Sequence, residues 1–263
     1  MTSLSIKQKA QQYLVLTIMA LFIGLLVGAI DMIFGQGLLL IGDFRSQHWP
    51  LILFLAIAGL VIVYLYKRFG GKASKGMGLI FEVGHAREEK IPLVLVPLIM
   101  LTTWMSHLFG GSVGREGVAV QIGATFSHRF ARHIKIPDAS RIFLMTGMAA
   151  GFAGLFQPQL AATFFALEVL TVGELQLMAL YPALIASIVA SFTSHALGLE
   201  QFAVPLRETL SWTPVTLINV APLGLALGLD GKLFAVSLSW LKKQVAHVLP
   251  NPYFRIVLLG AGI

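Results

Sequence analysis

Long apolar runs alternate with short polar segments along this chain. Residues 13–30 form a run without a charged residue, close to the roughly 20 residues that a helix needs to cross a bilayer core about 30 Å thick. Similar runs occupy residues 50–66, 91–109, 142–167, 178–199 and 215–229. The pattern predicts an all-α, polytopic membrane protein in which residues 35–49 form an extramembrane loop.

Composition supports the membrane class. Hydrophobic residues make up 57% of the chain and charged residues 12%, and the mean hydropathy is +0.82, outside the range of ordinary soluble domains. The first run lacks the small-residue cleavage site of a signal peptide, so it is interpreted as a membrane helix. The chain has no cysteine, and its seven histidines show no metal-ligand spacing, so neither a metal nor a cofactor is expected.

The net charge of +7 is interpreted as a sign of membrane topology rather than of nucleic-acid binding, because the basic residues lie between the apolar runs. By the positive-inside rule these clusters face the cytoplasm and place the N-terminus inside, in a multi-pass protein of the cell (plasma or inner) membrane. The clusters comprise Lys7 and Lys9; Lys67, Arg68, Lys72 and Lys75; and Arg129, Arg132, Lys135 and Arg141.

Two segments indicate an internal repeat. "GLLVGAIDMIF" at residues 24–34 and "GLALGLDGKLF" at residues 224–234 share glycines four apart, a nearby aspartate and a final phenylalanine. Transporters are often built from two such repeats. We therefore expect residues 1–200 to form one membrane repeat, and residues 201–263 to form a linker and the opening helices of a second repeat that is largely missing. Chance similarity between two apolar segments remains the alternative.

Three apolar segments are broken by glycine or proline, at "KGMGLIFEVG", "FGGSVGREGVAV" and "GFAGLFQPQLAATFFALEV". Each restart predicts a helix N-terminus, near Gly78, Gly117 and Leu160, with unpaired N–H groups and a positive dipole end that attract an anion. If the three N-termini converge, they form an anion site without a full cationic side chain.

Glu116 lies at the second break, beside Arg115. A charge at membrane depth costs about 2.5–3.5 kcal/mol, and a helix N-terminus returns up to about 2 kcal/mol to the ionised carboxylate. Opposing contributions of similar size make Glu116 a candidate switch. The structural alternatives are a carboxylate that only stabilises its helix, and an Arg115 that pairs with a lipid phosphate or another carboxylate.

These motifs carry a family resemblance. "GREG" at residues 114–117, followed by "AVQIG", resembles the signature of the CLC family of chloride channels and anion/proton antiporters. "GMG" at residues 76–78 falls where that family has its glycine-serine-glycine anion-binding turn, and "FQPQLAATFFALEV" resembles a further family segment. The resemblance implies an inverted-repeat fold with broken helices, a homodimer with one pathway in each subunit, and Glu116 as gate and proton carrier.

Departures from the family pattern favour its fluoride-exporting branch. Met77 replaces the serine that helps to hold chloride, and Val118 replaces the proline after "GREG". The inner proton-transfer glutamate of the chloride antiporters aligns with Val169. The resemblance thus implies exchange of fluoride for protons in a lipid bilayer. The residues expected to bind the anion are Met77, Gly78, Arg115, Gly117, Val118 and Leu160.

Three alternatives remain open. The chain could be a chloride channel or chloride/proton antiporter of the same family. It could be an inactive truncated half-transporter, because the family's second-half phenylalanine-rich motif and tyrosine have no counterpart before Ile263. Finally, residues 110–114 satisfy the nucleophile pattern G-x-S-x-G, so Ser112 with His107 or His195 could form an intramembrane serine hydrolase.

Overall fold

The computed structural model describes residues 5–171, 173–201 and 213–261, and within these ranges the regular structure is entirely helical. The chain divides into two compact units, which are described separately. The first contains α1 (Ile6–Gln47), α2 (Leu55–Leu65), α3 (Met77–Gly84), α4 (Leu95–Leu108), α5 (Glu116–Ala131), α6 (Ala139–Phe156), α7 (Gln159–Glu168) and α8 (Leu180–Ala196). The second contains α9 (Pro214–Val248) and α10 (Pro252–Ala261). The predicted all-α class is confirmed.

Five helical segments in the described ranges are long and apolar enough to cross a membrane, namely Ile6–Gln47, Trp49–Gly84, Ala139–Phe156, Leu177–Ala196 and Pro214–Val248. The second of these is not one continuous α-helix. It opens with a 3-10 segment, continues as α2, and passes through a π turn and a second 3-10 segment before α3.

The expected span over residues 91–109 is shorter than predicted. Its helix, α4, has 14 residues, which corresponds to about 21 Å and falls short of a bilayer core of about 30 Å. Pro92 precedes the helix, and the chain leaves it at Gly110, whose φ of +80° favours glycine. The apolar run is therefore longer than the helix that it forms.

The predicted loop over residues 35–49 is wrong, because α1 continues to Gln47. Two of its glycines, Gly35 and Gly37, serve close packing. A Cβ at Gly37 would lie 2.7 Å from the Trp104 ring, and the Trp104 indole donates a hydrogen bond to the Phe34 carbonyl over 3.1 Å. A Cβ at Gly35 would lie 2.7 Å from Leu199 Cδ1.

The core of the first unit surrounds α6, of which 14 of 18 residues are buried. Glycines let neighbouring helices approach it and one another. A Cβ at Gly28 of α1, for example, would lie 2.5 Å from the Ala190 carbonyl oxygen of α8. In the second unit, Gly224 and Gly228 show no described atom within 4 Å of such a Cβ. Both segments of the proposed repeat are helical, and the repeat itself stays a prediction.

Candidate functional site

The three predicted breaks are present, and each is followed by a new helix. α3 begins at Met77, α5 at Glu116 and α7 at Gln159. Gly76, directly before α3, has φ +54° and ψ −127°, a conformation that favours glycine. Gln157 ends α6 in the left-handed conformation at φ +65°, and Pro158 then leads into α7.

None of these three helices has a hydrogen-bonding side-chain cap in the described part of the chain. The residues before them are Gly76, Arg115 and Pro158, which are not oxygen-bearing caps. The helices α2, α4, α6 and α8 likewise lack such a cap among the described residues, whereas α1 has a complete capping box in which Ser5 and Gln8 bond each other's backbone N–H groups. The first N–H groups of α3, α5 and α7 are therefore available to an external acceptor.

Gln121 joins the starts of α3 and α5. Its side-chain amide donates to the Gly117 carbonyl over 2.8 Å. Its Oε1 lies 3.4 Å from where a Cβ of Gly76 would stand. That oxygen is buried and has no hydrogen-bond partner among the described residues. Two of the three predicted N-termini thus meet at one buried amide.

Arg115 connects the start of α5 to the break between α6 and α7. Its guanidinium carbon lies 5.3 Å from the ring centroid of Phe156, the last residue of α6. The described residues offer it no ion pair, so the alternative in which Arg115 pairs with another carboxylate finds no partner among them. A cation held on an aromatic face keeps its charge near the site.

Glu116 is the first residue of α5 and its side chain is exposed. One carboxylate oxygen lies 2.9 Å from where a Cβ of Gly114 would stand. No hydrogen bond or ion pair holds the carboxylate in the described part of the chain. Glycines border open space on both nearby helices: a Cβ at Gly78 would meet no described atom within 4 Å, and one at Gly117 would meet only Gln121 Nε2, at 3.9 Å.

The remaining predicted anion-binding residues differ in position. Met77 is half-buried against the core. The side chain of Val118 is buried within the core, and that of Leu160 is 64% exposed. Val118 and Leu160 can therefore offer an anion only their backbone N–H groups, and their role stays a prediction. Sequence reasoning missed Gln121 and Phe156; a lone glutamine within "AVQIG" was the available signal.

A small network of ion pairs surrounds the turn before α3. Lys75 pairs with Glu82 over 2.6 Å and with Glu88 over 3.8 Å, and Lys72 pairs with Glu88 over 2.6 Å. The hydrogen bond from Lys72 lowers the pKa of Glu88 below its usual value, and both lysine charges add to this. The network connects the segment before Met77 to the far end of α3.

The geometry does not favour a hydrolase. Ser112 is exposed in the linker after α4, so a helix rather than a strand precedes it. His107 Nδ1 is already hydrogen-bonded to the Thr103 carbonyl, over 2.9 Å. In the described ranges, Ser112 has no hydrogen bond with His107 or His195.

A family model and two curated relatives match large parts of the chain. The family model described as "Voltage gated chloride channel" matches residues 58–263. The chain is 30% identical over 246 residues to a "Chloride/fluoride channel protein" of Pseudomonas syringae pv. tomato, covering 92% of this chain and 54% of the relative. It is 31% identical over 193 residues to the voltage-gated ClC-type chloride channel ClcB of Yersinia pseudotuberculosis, covering 71% and 46%. The chain thus spans about half the length of these curated relatives.

Solved structures agree on the fold. A crystal structure of a CLC-type fluoride/proton antiporter superposes with a TM-score of 0.91 at 42% identity, covering 99% of this chain and 65% of the other. A slow cyanobacterial Cl⁻/H⁺ antiporter gives a TM-score of 0.77 at 20% identity, covering 94% and 63%. The second likeness concerns the fold alone.

Proposed function

Since the chain belongs to the voltage-gated chloride channel family, also called CLC, we propose that it serves the exchange of fluoride for protons, with Glu116 as gate and proton carrier. The position of Glu116 carries the proposal. It is the first residue of α5, it is exposed, and no described side chain holds it. It also stands beside uncapped N–H groups and glycines that border open space.

Glu116 and the anion compete for the same donors. The N-terminus of α5 stabilises an ionised carboxylate by up to about 2 kcal/mol, while a charge at membrane depth costs about 2.5–3.5 kcal/mol. When ionised, Glu116 takes the place of the anion at the N–H groups. After taking up a proton it has no charge to hold it there, so it leaves the site to the anion and carries the proton.

One comparison supports fluoride over chloride, because the fluoride/proton antiporter structure is 42% identical to this chain. The relative from Pseudomonas syringae pv. tomato is named for both ions, as a chloride/fluoride channel. Fluoride is small and a strong hydrogen-bond acceptor, so backbone N–H groups at the starts of α3 and α5 suit it. Met77 offers no hydroxyl donor to a larger chloride. A chloride channel or chloride/proton antiporter is the second candidate, favoured by the similarity to ClcB.

The proposal extends to assembly and placement. It assigns the chain to a homodimer, as the family resemblance implies. It also assigns it to the cell membrane with a cytoplasmic N-terminus, an orientation that the distribution of basic residues favours. It assigns transport rather than hydrolysis, because Ser112 has the wrong structural context. The whole activity is proposed for a chain about half as long as its curated relatives, so a half-transporter without activity of its own is a distinct outcome.

Flux measurements test the proposal. The purified chain is placed in fluoride-loaded liposomes, and fluoride efflux is followed with an electrode while a dye reports proton uptake. We expect efflux that prefers fluoride to chloride, and we expect Glu116→Gln to abolish proton coupling. Glu174→Gln is the matched control, because Glu174 is an exposed carboxylate beyond α7.

Each contrary outcome identifies a different alternative. Equal chloride flux would favour the chloride branch. A folded protein without flux would favour the half-transporter. If Ser112→Ala abolished the activity of the protein while Glu116→Gln left anion transport intact, the transporter proposal would be wrong and the hydrolase would be favoured.

A further inference from the structure

A basic cavity lies at the far end of α5 from Glu116. It has a volume of about 680 Å³, and its lining includes Lys72, Lys90, Arg129 and Arg132. Arg129 is 13 residues along α5 from Glu116, which corresponds to about 20 Å at 1.5 Å per residue. Arg129 and Arg132 therefore lie far from Glu116, while Lys72, which also lines the cavity, lies five residues before Met77. The transport mechanism proposed above uses none of these cations.

The cations of this cavity are largely uncompensated. Lys72 is paired with Glu88, but the ion pairs of the described residues include none of Lys90, Arg129 and Arg132. All three side chains are exposed. Arg129 and Arg132 gain some stabilisation from the negative end of the α5 dipole, whereas Lys90 lies ahead of the positive end of α4. The dipoles thus leave Lys90 unexplained, and an anion between the three would offset their mutual repulsion.

The same cavity has an apolar side. Phe69, Leu93 and Val94 line it, and their side chains are 53%, 43% and 38% exposed. Between Lys90 and Leu95 the chain passes from charged residues to the apolar start of α4. Such a change is typical of a membrane interface. A free inorganic anion would make no use of the apolar side.

We propose that this cavity binds the phosphate headgroup of an anionic phospholipid, with Lys90, Arg129 and Arg132 at the phosphate and the acyl chains along Phe69, Leu93 and Val94. Basic pockets at the ends of membrane helices suit such headgroups. The bound lipid would neutralise the cluster and join the end of α5 to the start of α4.

Lipid binding can be measured on the full chain in nanodiscs. Phosphatidylglycerol is titrated into a phosphatidylcholine background while bound lipid is counted by native mass spectrometry and the thermal midpoint is recorded. We expect saturable binding of phosphatidylglycerol with a rise in midpoint, and no such effect from phosphatidylcholine. Each cation lost near an anionic surface should weaken binding about fivefold. The double variant Arg129→Gln with Arg132→Gln should therefore weaken it roughly 30-fold.

The control double variant is Lys7→Gln with Lys135→Gln, which removes the same charge from exposed residues outside the cavity. Lys90→Gln provides a second test that leaves α5 unchanged if the arginine variant does not fold. Equal weakening by the control, or unchanged binding in the folded Arg129/Arg132 or Lys90 variants, would overturn the proposal. An equal rise in the thermal midpoint with inorganic phosphate or glycerol 3-phosphate would assign the cavity to a free phosphate and would overturn the proposal of a bound lipid.

Discussion

Gly123 of α5 and Gly147 of α6 bring the backbones of their helices into direct contact. A Cβ placed on either residue would overlap the carbonyl oxygen of the other. Gly151, one turn further along α6, meets the Ala119 carbonyl in the same way. This contact fixes α5, and with it Glu116, against the most buried helix of the unit.

The contact predicts that Gly123→Ala lowers the free energy of unfolding by about 3 kcal/mol or more, the upper end of the usual cost of overpacking. Backbone atoms supply the clash, so side-chain rearrangement cannot relieve it. The measurement is the thermal midpoint of the purified protein in detergent. Gly42→Ala is the control, because no described atom lies within 4 Å of its Cβ position in α1, and we expect it to be neutral or stabilising. Equal midpoints for the two variants would contradict the close contact.

The sequence predicts where helices begin better than it predicts where they end. Breaks at Gly76, Arg115 and Pro158 depend on local backbone chemistry, so the starts of α3, α5 and α7 follow from the sequence. The continuation of α1 through Gly35 and Gly37 does not, because it depends on Leu199 and Trp104, which are distant along the chain. A glycine suited to a turn is equally suited to close packing, and only the partner distinguishes the two.

The site shows the same division. The residues of "GREG" and "GMG" could be named from the sequence, since the chemistry of a helix N-terminus needs only a break and a donor. Their meeting through Gln121 could not be named, because it requires knowing which faces of α3 and α5 pack together. Burial of Val118 depends likewise on the rotation of α5 in the bundle.

Asp31 and Gly154 form a buried pair that the proposed transport mechanism does not use. Neither oxygen of Asp31 has a hydrogen-bond partner among the described residues, and one of them contacts the position that a Cβ of Gly154 would occupy. Gly154→Ala should therefore destabilise the protein by about 1–3 kcal/mol. Asp31→Ala removes the obstructing oxygen, so the double variant should recover about 0.5–3 kcal/mol relative to additivity.

Thermal midpoints of the wild type, both single variants and the double variant supply this cycle. Asp31→Asn is the control for charge, because the amide keeps the shape of the side chain and is expected to retain the clash with alanine at position 154. Strict additivity of the two single effects would show that the contact between Asp31 and Gly154 does not limit packing.

Glu88 predicts a dependence of stability on pH. The Lys72 hydrogen bond lowers its pKa in the folded state, so the folded protein binds fewer protons than the unfolded chain at this position. The stabilisation is therefore present above the unfolded pKa, about 4.3, and is lost as pH falls through the folded pKa. Below pH 5 the midpoint of the wild type should fall more steeply than that of Glu88→Gln. Because the pair is near the surface, high salt should shrink the difference.

Glu89→Gln is the control for this prediction, because Glu89 is the adjacent exposed carboxylate. Parallel curves of thermal midpoint against pH for the wild type and Glu88→Gln would contradict the pairing of Glu88 with Lys72.

Met77 predicts how the proposed selectivity can be changed. It is the first residue of α3, next to Gly78 and its open surroundings, and its thioether donates no hydrogen bond. Met77→Ser adds a hydroxyl donor, and a hydrogen bond to an ion is worth about 1.5–3 kcal/mol. In liposomes that support flux, we expect chloride efflux to rise roughly tenfold or more above its wild-type value. The ratio of chloride to fluoride efflux should rise with it, because serine also vacates volume that the larger chloride needs and fluoride does not. Met77→Leu keeps the apolar volume without a donor and should preserve the wild-type ratio. If leucine changed the ratio as much as serine, the loss of the methionine itself rather than the gain of a hydroxyl would determine selectivity at this turn.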